Sequence, residues 1–494
     1  MYRVEPKGGT NSVLRGKYKF MYKCTRLYNV SCLGKKWPSR TPQQARSWKA
    51  FAEPPGNSAN CGRMPGIMTN FLFITIRPSE DFYMLYYTSA CFGKEGLLVG
   101  GLDALLNVSE QEKEARGIRY TPREIIQQPA SWRKTFRIAE EQQSDLRQFL
   151  FASGVNLHKS SGNPTVFLIG AGSSDYVGRA LTYLLRRMWG CEVWAVPSTD
   201  LLTNLEDLVF PEGKYFWISF SRSGDSSGGL AVLEAALERY PTVRHLLVTC
   251  NERGGMAQIC ERAPDRAYAL TLDESVNDRG LAMTSSYTNM VVAGQCLAHL
   301  DSLSSYEETF SVLCEAGERF LKSVQEIAPL IAQEEFSKAC FVGSGVLHAA
   351  AQESALKLLE MTAGKIQAMS ESTLGLRHGP MSALDRDTLF VSYLSRDKRR
   401  LNYEVDLLEE INSKQLGKLR AVVSPDATDH LGQLADNVFS LNAPNLPDEY
   451  RAPVDVMLAQ SLGLFSSLKL GLRPDCPSPN GTISRVVSHV NIYR

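Results

Sequence analysis

Three groups of residues have the types and spacing to do chemistry. Gln352-Glu353-Ser354-Ala355-Leu356-Lys357-Leu358-Leu359-Glu360-Met361 sets Glu353, Lys357 and Glu360 at i, i+4 and i+7, so a helix places all three on one face. Such a face can carry a carboxylate for acid–base work, and solvated Glu/Lys pairing produces the same spacing. Eighteen residues beyond Glu360, Leu376-Arg377-His378-Gly379-Pro380 puts a histidine just before a Gly-Pro turn, where it can move protons or simply serve structure. The third group runs Phe216-Trp217-Ile218-Ser219-Phe220-Ser221-Arg222-Ser223-Gly224-Asp225-Ser226-Ser227-Gly228. An apolar strand that empties into such a loop and then a helix start offers backbone N–H groups and a helix dipole to an anion. Serine hydroxyls add neutral donors, and Arg222 adds a planar cation suited to phosphate. The plainer alternative is a Ser/Gly-rich surface turn with an ordinary N-cap.

Positioning these groups takes strands and helices in alternation, and the chain has them. Globular patterning begins near Leu102, and Thr121-Pro122-Arg123-Glu124 predicts a helix start with Thr121 as N-cap and Pro122 at N1. A long amphipathic segment follows from Ser131 to Phe151. Val166-Phe167-Leu168-Ile169 then leads into Gly170-Ala171-Gly172-Ser173-Ser174 and a helix through Leu181 and Leu185. Val193 to Val196, Tyr215 to Phe220 and Leu246 to Thr249 read as further strands, and Leu230, Leu233, Ala236 and Leu237 recur at helical spacing. Short, unalternated apolar runs are strands buried on both faces, and their alternation with helices predicts a parallel sheet wrapped by helices. The pattern recurs, because Ala339-Cys340-Phe341-Val342-Gly343-Ser344-Gly345 resembles Val166 to Gly172. Strands at Thr388 to Val391, Leu419 to Val423 and Asn437 to Phe439 follow. Two α/β halves, joined by helix around Leu303 to Ile331, could share a cleft at the C-terminal ends of their strands.

Composition closes off other classes. A net charge of +1 gives no global basic field, so nucleic acid is not an expected partner. No apolar run approaches the ~20 residues of a membrane-spanning helix. The eleven cysteines are scattered without a CxxC pair or a Cys/His cluster at zinc spacing, which predicts buried thiols, a reducing cytoplasmic setting and no metal. Gly170-Ala171-Gly172 has Asp175 where a dinucleotide fingerprint needs its third glycine, and no Walker A pattern occurs. Residues 1–102 differ from the rest: Arg15, Lys17, Lys19, Lys23, Lys35 and Lys36 dominate the first sixty residues, where the acids are Glu5 and Glu53. They read as a disordered basic extension, a targeting segment or a small accessory domain, with Pro6, Pro38 and Pro42 against an amphipathic transit helix.

Ser221-Arg222-Ser223-Gly224-Asp225-Ser226 resembles the S-x-S-G-[ED]-[ST] signature of sugar isomerase (SIS) domains. The Glu-x6-Glu helix with its His-Gly-Pro turn resembles the isomerase half of glucosamine-6-phosphate synthase. The likeness is nearest to the AgaS-type galactosamine-6-phosphate deaminase/isomerases, formerly called tagatose-6-phosphate ketose/aldose isomerases. It is carried by Gly117-Ile118-Arg119-Tyr120-Thr121-Pro122-Arg123-Glu124-Ile125, Arg222-Ser223-Gly224-Asp225-Ser226 and Asp475-Cys476-Pro477-Ser478-Pro479-Asn480-Gly481-Thr482. It spans residues 103–494 and implies an α/β fold of two tandem SIS domains. The expected arrangement is a helical lead-in at 103–145, domain 1 at 146–305, domain 2 at 320–475 and a tail at 476–494.

The resemblance implies phosphate binding by Ser174, Ser221, Arg222, Ser223 and Ser226, with a glutamine of the synthase replaced here by Arg222. It implies that Glu360 shuttles a proton between C2 and C1, that His378 opens the sugar ring from a neighbouring subunit, and that Lys357 and Glu353 are polar neighbours on the same helix. Where the synthase tail has a Schiff-base lysine, this chain offers Arg485, whose guanidinium is a poor nucleophile. The implied reaction takes galactosamine 6-phosphate and water to tagatose 6-phosphate and ammonia, without cofactor or metal, in a homodimer or larger assembly. A ketose/aldose isomerase without deamination and a non-catalytic phosphosugar sensor are the competing readings. No convincing helix-turn-helix in residues 1–100 supports the sensor.

Overall fold

The computed structural model describes residues 69–75, 82–88 and 101–493, apart from 159, 161, 479, 488 and 489. Within the basic N-terminal segment, strands β1 (Thr69–Thr75) and β2 (Phe82–Thr88) pair antiparallel, with Thr69 opposite Thr88 and Thr75 opposite Phe82. The readings offered for residues 1–68 fall outside the described residues. This hairpin belongs to a compact unit separate from the one formed by Leu97–Arg494.

The larger unit holds two five-stranded parallel sheets. The first is built from β3 (Thr165–Gly170), β4 (Val193–Pro197), β5 (Tyr215–Ser221), β6 (Arg244–Thr249) and β7 (Ala267–Thr271) in the order β4-β3-β5-β6-β7. The second is built from β8 (Lys338–Gly343), β9 (Gln367–Ser372), β10 (Thr388–Tyr393), β11 (Leu419–Ser424) and β12 (Asn437–Ser440) in the order β12-β11-β10-β8-β9. Every residue of β5 and of β10 is buried, as their continuous apolar runs require of strands covered on both faces. The strand order reverses its direction of progress across each sheet between β3 and β5 and between β8 and β10. At such a switch the loops leaving the two strands diverge and open a crevice at their carboxyl ends.

Seven helices position the site. They are α1 (Gln128–Glu141), α2 (Ser173–Trp189), α3 (Ser227–Arg239), α4 (Ser285–Ala298), α5 (Ser304–Gln333), α6 (Val346–Met361) and α7 (Met457–Lys469). Helix α2 leaves β3, α6 leaves β8, and these two pack against each other at the junction of the halves. Helix α4 packs on α1 and α2, while α7 packs on α5 and α6. All fourteen residues of α4 are buried, so it runs through the interior as a shared spine. One continuous apolar cluster accordingly extends from Leu102 through both sheets to Phe465.

Two local expectations need correction. Thr121 lies inside its helix (Thr121–Ile126), which begins after Tyr120 without a side-chain cap. Its hydroxyl is instead donated to Asp475 Oδ1 at 2.7 Å. The amphipathic stretch from Ser131 to Phe151 is broken at Gln142, so α1 is followed by a second helix, Gln143–Ala152. Cys250, Cys260, Cys296, Cys314 and Cys340 are buried free thiols.

Candidate active site

The loop between β3 and α2 is held tightly against its strand. A Cβ on Gly170 would stand 2.3 Å from the backbone carbonyl carbon and oxygen of Ser174, so only glycine lets the first turn of α2 fold back this closely. Gly172 takes a φ of +56° at the turn itself. Ser173 and Ser174 thereby begin α2 at the switch point, both buried. The Ser174 hydroxyl donates a long, weak hydrogen bond to Met283 Sδ at 4.0 Å. Among the described residues no donor reaches its lone pairs, which can accept from a ligand.

The β5–α3 loop supplies the facing wall. Ser221 Oγ accepts from Gly224 N at 3.1 Å, and Ser223 Oγ accepts from Asp225 N at 3.2 Å. Both hydroxyls act as acceptors toward their own loop, so their protons remain free to donate outward. Gly224 has a φ of +69°, and the loop is pinned from outside by Asn251 Nδ2 donating to Ser223 O at 2.8 Å and Gly255 N donating to Asp225 Oδ1 at 2.8 Å. Ser226 precedes α3 in extended conformation, with no side-chain cap to the helix. Ser174, Ser221, Ser223 and Ser226 thus stand on the two loops that leave the switch-point strands β3 and β5.

Arg222 is turned away from them. Its Nη2 donates to Arg485 O at 2.5 Å and its Nη1 to Leu281 O at 3.2 Å, leaving the residue 6% exposed. Arg485, in the tail, donates from Nε to Asp278 O at 2.7 Å and from Nη2 to Asn277 Oδ1 at 2.7 Å. Burial, and then the like charge of Arg485, lower the pKa of Arg222 while Asp278 opposes them.

Helix α6 brings the charged face. Lys357 is fully buried, and its Nζ donates to Glu360 Oε2 at 2.6 Å and to Ser173 Oγ at 2.9 Å, with Glu353 Oε1 at 3.4 Å. The spacing read from sequence therefore serves a buried ion cluster rather than a solvated face, and it joins the second half to the β3–α2 loop of the first. Glu353 is buried with it, and burial pushes its carboxyl up to about 8 against the pull of Lys357. Burial lowers the pKa of Lys357, but Glu353 and then Glu360 outweigh it and hold the ammonium charged. Glu360 is the member of this cluster that keeps solvent access, its side chain 23% exposed. Tyr176 on α2 is pushed up by burial and then by the charge of Glu353.

His378 stands apart. It follows β9 through a short 3-10 turn, its backbone N donates to Gly375 O at 2.9 Å, and its side chain is exposed. Arg377 Nε anchors the turn to Glu410 Oε2 at 2.7 Å. Among the described residues no hydrogen bond or ion pair joins the His378 ring to Glu360 or to the serine loops.

Sequence reasoning gave no role to the carboxylates beneath the site. Asp278 accepts from Thr284 N at 2.7 Å, Ser286 N at 2.8 Å and Ser286 Oγ at 2.6 Å, and also from the Ser285 hydroxyl, which fixes the start of α4. Glu124 Oε1 accepts from Arg279 N at 2.6 Å, and burial followed by the charge of Asp278 pushes Glu124 up to about 8. Asp475 accepts from Thr121 N at 2.8 Å and returns its own N–H to Gly117 O at 2.8 Å, while Leu281 N donates to Asp475 O at 3.0 Å. The segments around Thr121 and Asp475 that carried the resemblance thus meet beside the Asn277–Leu281 loop. Their charged residues embedded in Pro/Gly turns were the available signal.

The second half treats its equivalent loop differently. After β10, Ser395 N donates to Glu404 Oε2 at 2.6 Å and Arg396 N donates to Asp448 Oδ1 at 3.0 Å. The chain's own carboxylates take the amides that an outside anion would need.

No protein-family model matches the chain. It is 34% identical over 375 residues to a D-galactosamine-6-phosphate deaminase AgaS of Escherichia coli O157:H7, covering 76% of this chain and 95% of that one. The crystal structure of tagatose-6-phosphate ketose/aldose isomerase from Escherichia coli superposes with a TM-score of 0.68 at 31% identity, covering 76% of this chain and 96% of the other. The C-terminal domain of glucosamine-fructose-6-phosphate aminotransferase from Francisella tularensis shares the fold, with a TM-score of 0.59 at 17% identity over 74% of this chain and 99% of that domain. With two parallel sheets, serine loops at the switch point of the first and a carboxylate helix from the second, the chain belongs to the AgaS-type galactosamine-6-phosphate deaminase family of tandem SIS-domain proteins.

Proposed function

We propose that this chain is an amino-sugar phosphate deaminase/isomerase that converts galactosamine 6-phosphate and water to tagatose 6-phosphate and ammonia. One observation carries the reading: Lys357 bridges Glu360 of the carboxylate helix and Ser173 beside the serine loop, which sets a base and a phosphate cradle on one crevice. The 6-phosphate is held by Ser174, Ser221, Ser223 and Ser226, with the Arg222 guanidinium as fixed positive charge behind them and Arg485 holding the tail. Binding the far end of the substrate there confines C1 and C2 near Glu360.

His378 opens the sugar ring by moving a proton from the C1 hydroxyl to the ring oxygen. Glu360 takes the C2 proton and returns it to C1 through an enolic intermediate, leaving an imine at C2. Water adds to that imine and ammonia leaves, giving the ketose. Lys357 and Glu353 position Glu360 through the buried pairs described above. Because His378 is exposed and apart from Glu360, it serves the site of a second copy in a homodimer or larger assembly. The reaction belongs in the cytoplasm, in keeping with the buried free thiols. Among the described residues no helix is long and apolar enough to cross a membrane.

The test is ammonia release from galactosamine 6-phosphate by the purified chain, with Glu360→Gln as the control. Ammonia at least ~10²-fold above the control is expected. Equal release from both would refute the assignment, and ketose formation from a neutral aldose 6-phosphate without ammonia would replace it with plain isomerisation. Mixing Glu360→Gln and His378→Asn chains should restore activity absent from either alone. No recovery would refute the shared site.

A further inference from the structure

The C-terminal tail does more than lie on the surface. Val487 O accepts from Ser227 N at 3.1 Å, and that N–H is the first of helix α3, in the loop that carries Ser221, Ser223 and Ser226. Two residues earlier, Arg485 O takes the Nη2 proton of Arg222. The Arg485 side chain is tied down in turn by Asn277 and the Asp278 carbonyl, each at 2.7 Å. The tail is thus stitched across the loop at successive points by hydrogen bonds. Its apolar side chains are only partly covered, with Val487 60% exposed, Ile483 39% exposed and Val486 half-buried. A segment held by a few hydrogen bonds with little apolar burial opens at low cost.

We propose that the Arg485–Val487 segment is a built-in occupant of the phosphate loop, clamped by Arg222 and Arg485, so that a phosphate and the tail compete for the Ser227 amide. The inference rests on the reading of this loop as the phosphate cradle. Arg222 is then a positioning residue in the resting chain, acting on phosphate through the tail. When the tail lifts, the Ser227 N–H is released to face the anion, while Arg222 stays held by the Leu281 carbonyl. The helix dipole that draws the Val487 carbonyl to this amide draws a dianion more strongly, which sets the direction of exchange.

Inorganic phosphate is the probe, titrated by calorimetry into the full chain and into a chain ending at Ile483. Removing one competing hydrogen bond should tighten phosphate binding by about two- to tenfold. Arg485→Ala, which keeps the tail at full length, should shift the affinity in the same direction. Hydrogen exchange supplies a readout independent of the anion: the Ser227 amide should exchange faster in the shortened chain and slow again when phosphate is added. Equal or weaker phosphate binding by the shortened chain, or unchanged exchange at Ser227, would overturn the proposal. Failure of both chains to bind phosphate would overturn the cradle itself and the proposal with it, so the two failures are distinguishable.

Discussion

Replacing Glu353 with glutamine should make the chain's stability less sensitive to alkaline pH, by an amount fixed by the buried cluster on α6. Glu353 is fully buried, and its carboxyl is pushed from 4.5 up to about 8 by that burial. In the unfolded chain the group ionises near 4.5, so between these values the folded state holds a proton that the unfolded state has lost. Folding stability therefore falls as pH rises through this window, and the full penalty is present above pH 8. At ~1.4 kcal/mol per pH unit, the penalty is about 1 kcal/mol at pH 5, about 3 at pH 7 and nearly 5 at pH 9. Glutamine carries no such penalty at any pH. Urea unfolding of both proteins should show the Glu353→Gln variant gaining about 4 kcal/mol relative to the parent between pH 5 and pH 9. A difference independent of pH would mean that Glu353 titrates alike in both states. A loss for the variant at high pH would mean that Lys357 outweighs burial and holds Glu353 ionised.

Three further outcomes follow from the packing and hydrogen bonds. Gly170→Ala forces a methyl against the Ser174 backbone, so it should cost about 1–3 kcal/mol of stability and lower kcat/KM roughly tenfold or more by displacing Ser173 and Ser174. Asp278→Asn removes a charged acceptor from the two backbone amides and two hydroxyls that start α4, and should lower stability by roughly 2–4 kcal/mol in urea unfolding. Ser221→Ala removes one loop acceptor and one outward donor. It should raise KM for the phosphosugar about two- to tenfold with little change in kcat, as steady-state kinetics would show.

Much of this architecture is legible in the sequence for a physical reason. Strands β3, β5, β6, β8 and β10 are buried on both faces and so carry apolar runs, and the serine-rich loops begin where β3 and β5 stop. The edge strands β7 and β9 are only partly buried, and Gln367-Ala368-Met369-Ser370-Glu371-Ser372 carries no apolar run to mark it. Helices α4 and α7 are buried nearly all round, which erases the amphipathic period that marks a surface helix. The Glu353-Lys357-Glu360 face was visible as spacing, but its burial depends on α2 and α7 packing over it, contacts between segments far apart in the chain. Arg222 was visible as a cation. Its direction was set by carbonyls of Leu281 and Arg485, which no local pattern announces.

The pairing of Asp475 with Thr121 spans 354 residues. It has a consequence for how this chain comes to exist during synthesis. A protein made from its N-terminus has both strands of the first switch point, the serine loops and α4 in hand long before Asp475 leaves the ribosome. Until then Tyr120 and Thr121 lack their acceptor, Leu281 lacks its carbonyl, and Arg222 has no tail to hold. The first half can collapse early, but the loop beside its switch point stays unfinished until Asp475 emerges. Closing so long a loop adds its entropic cost at the end of folding, when the rest of the core can offset it. Binding competence should therefore arise only once Asp475 has emerged, and a chain truncated before Asp475 would carry an assembled sheet with an open site.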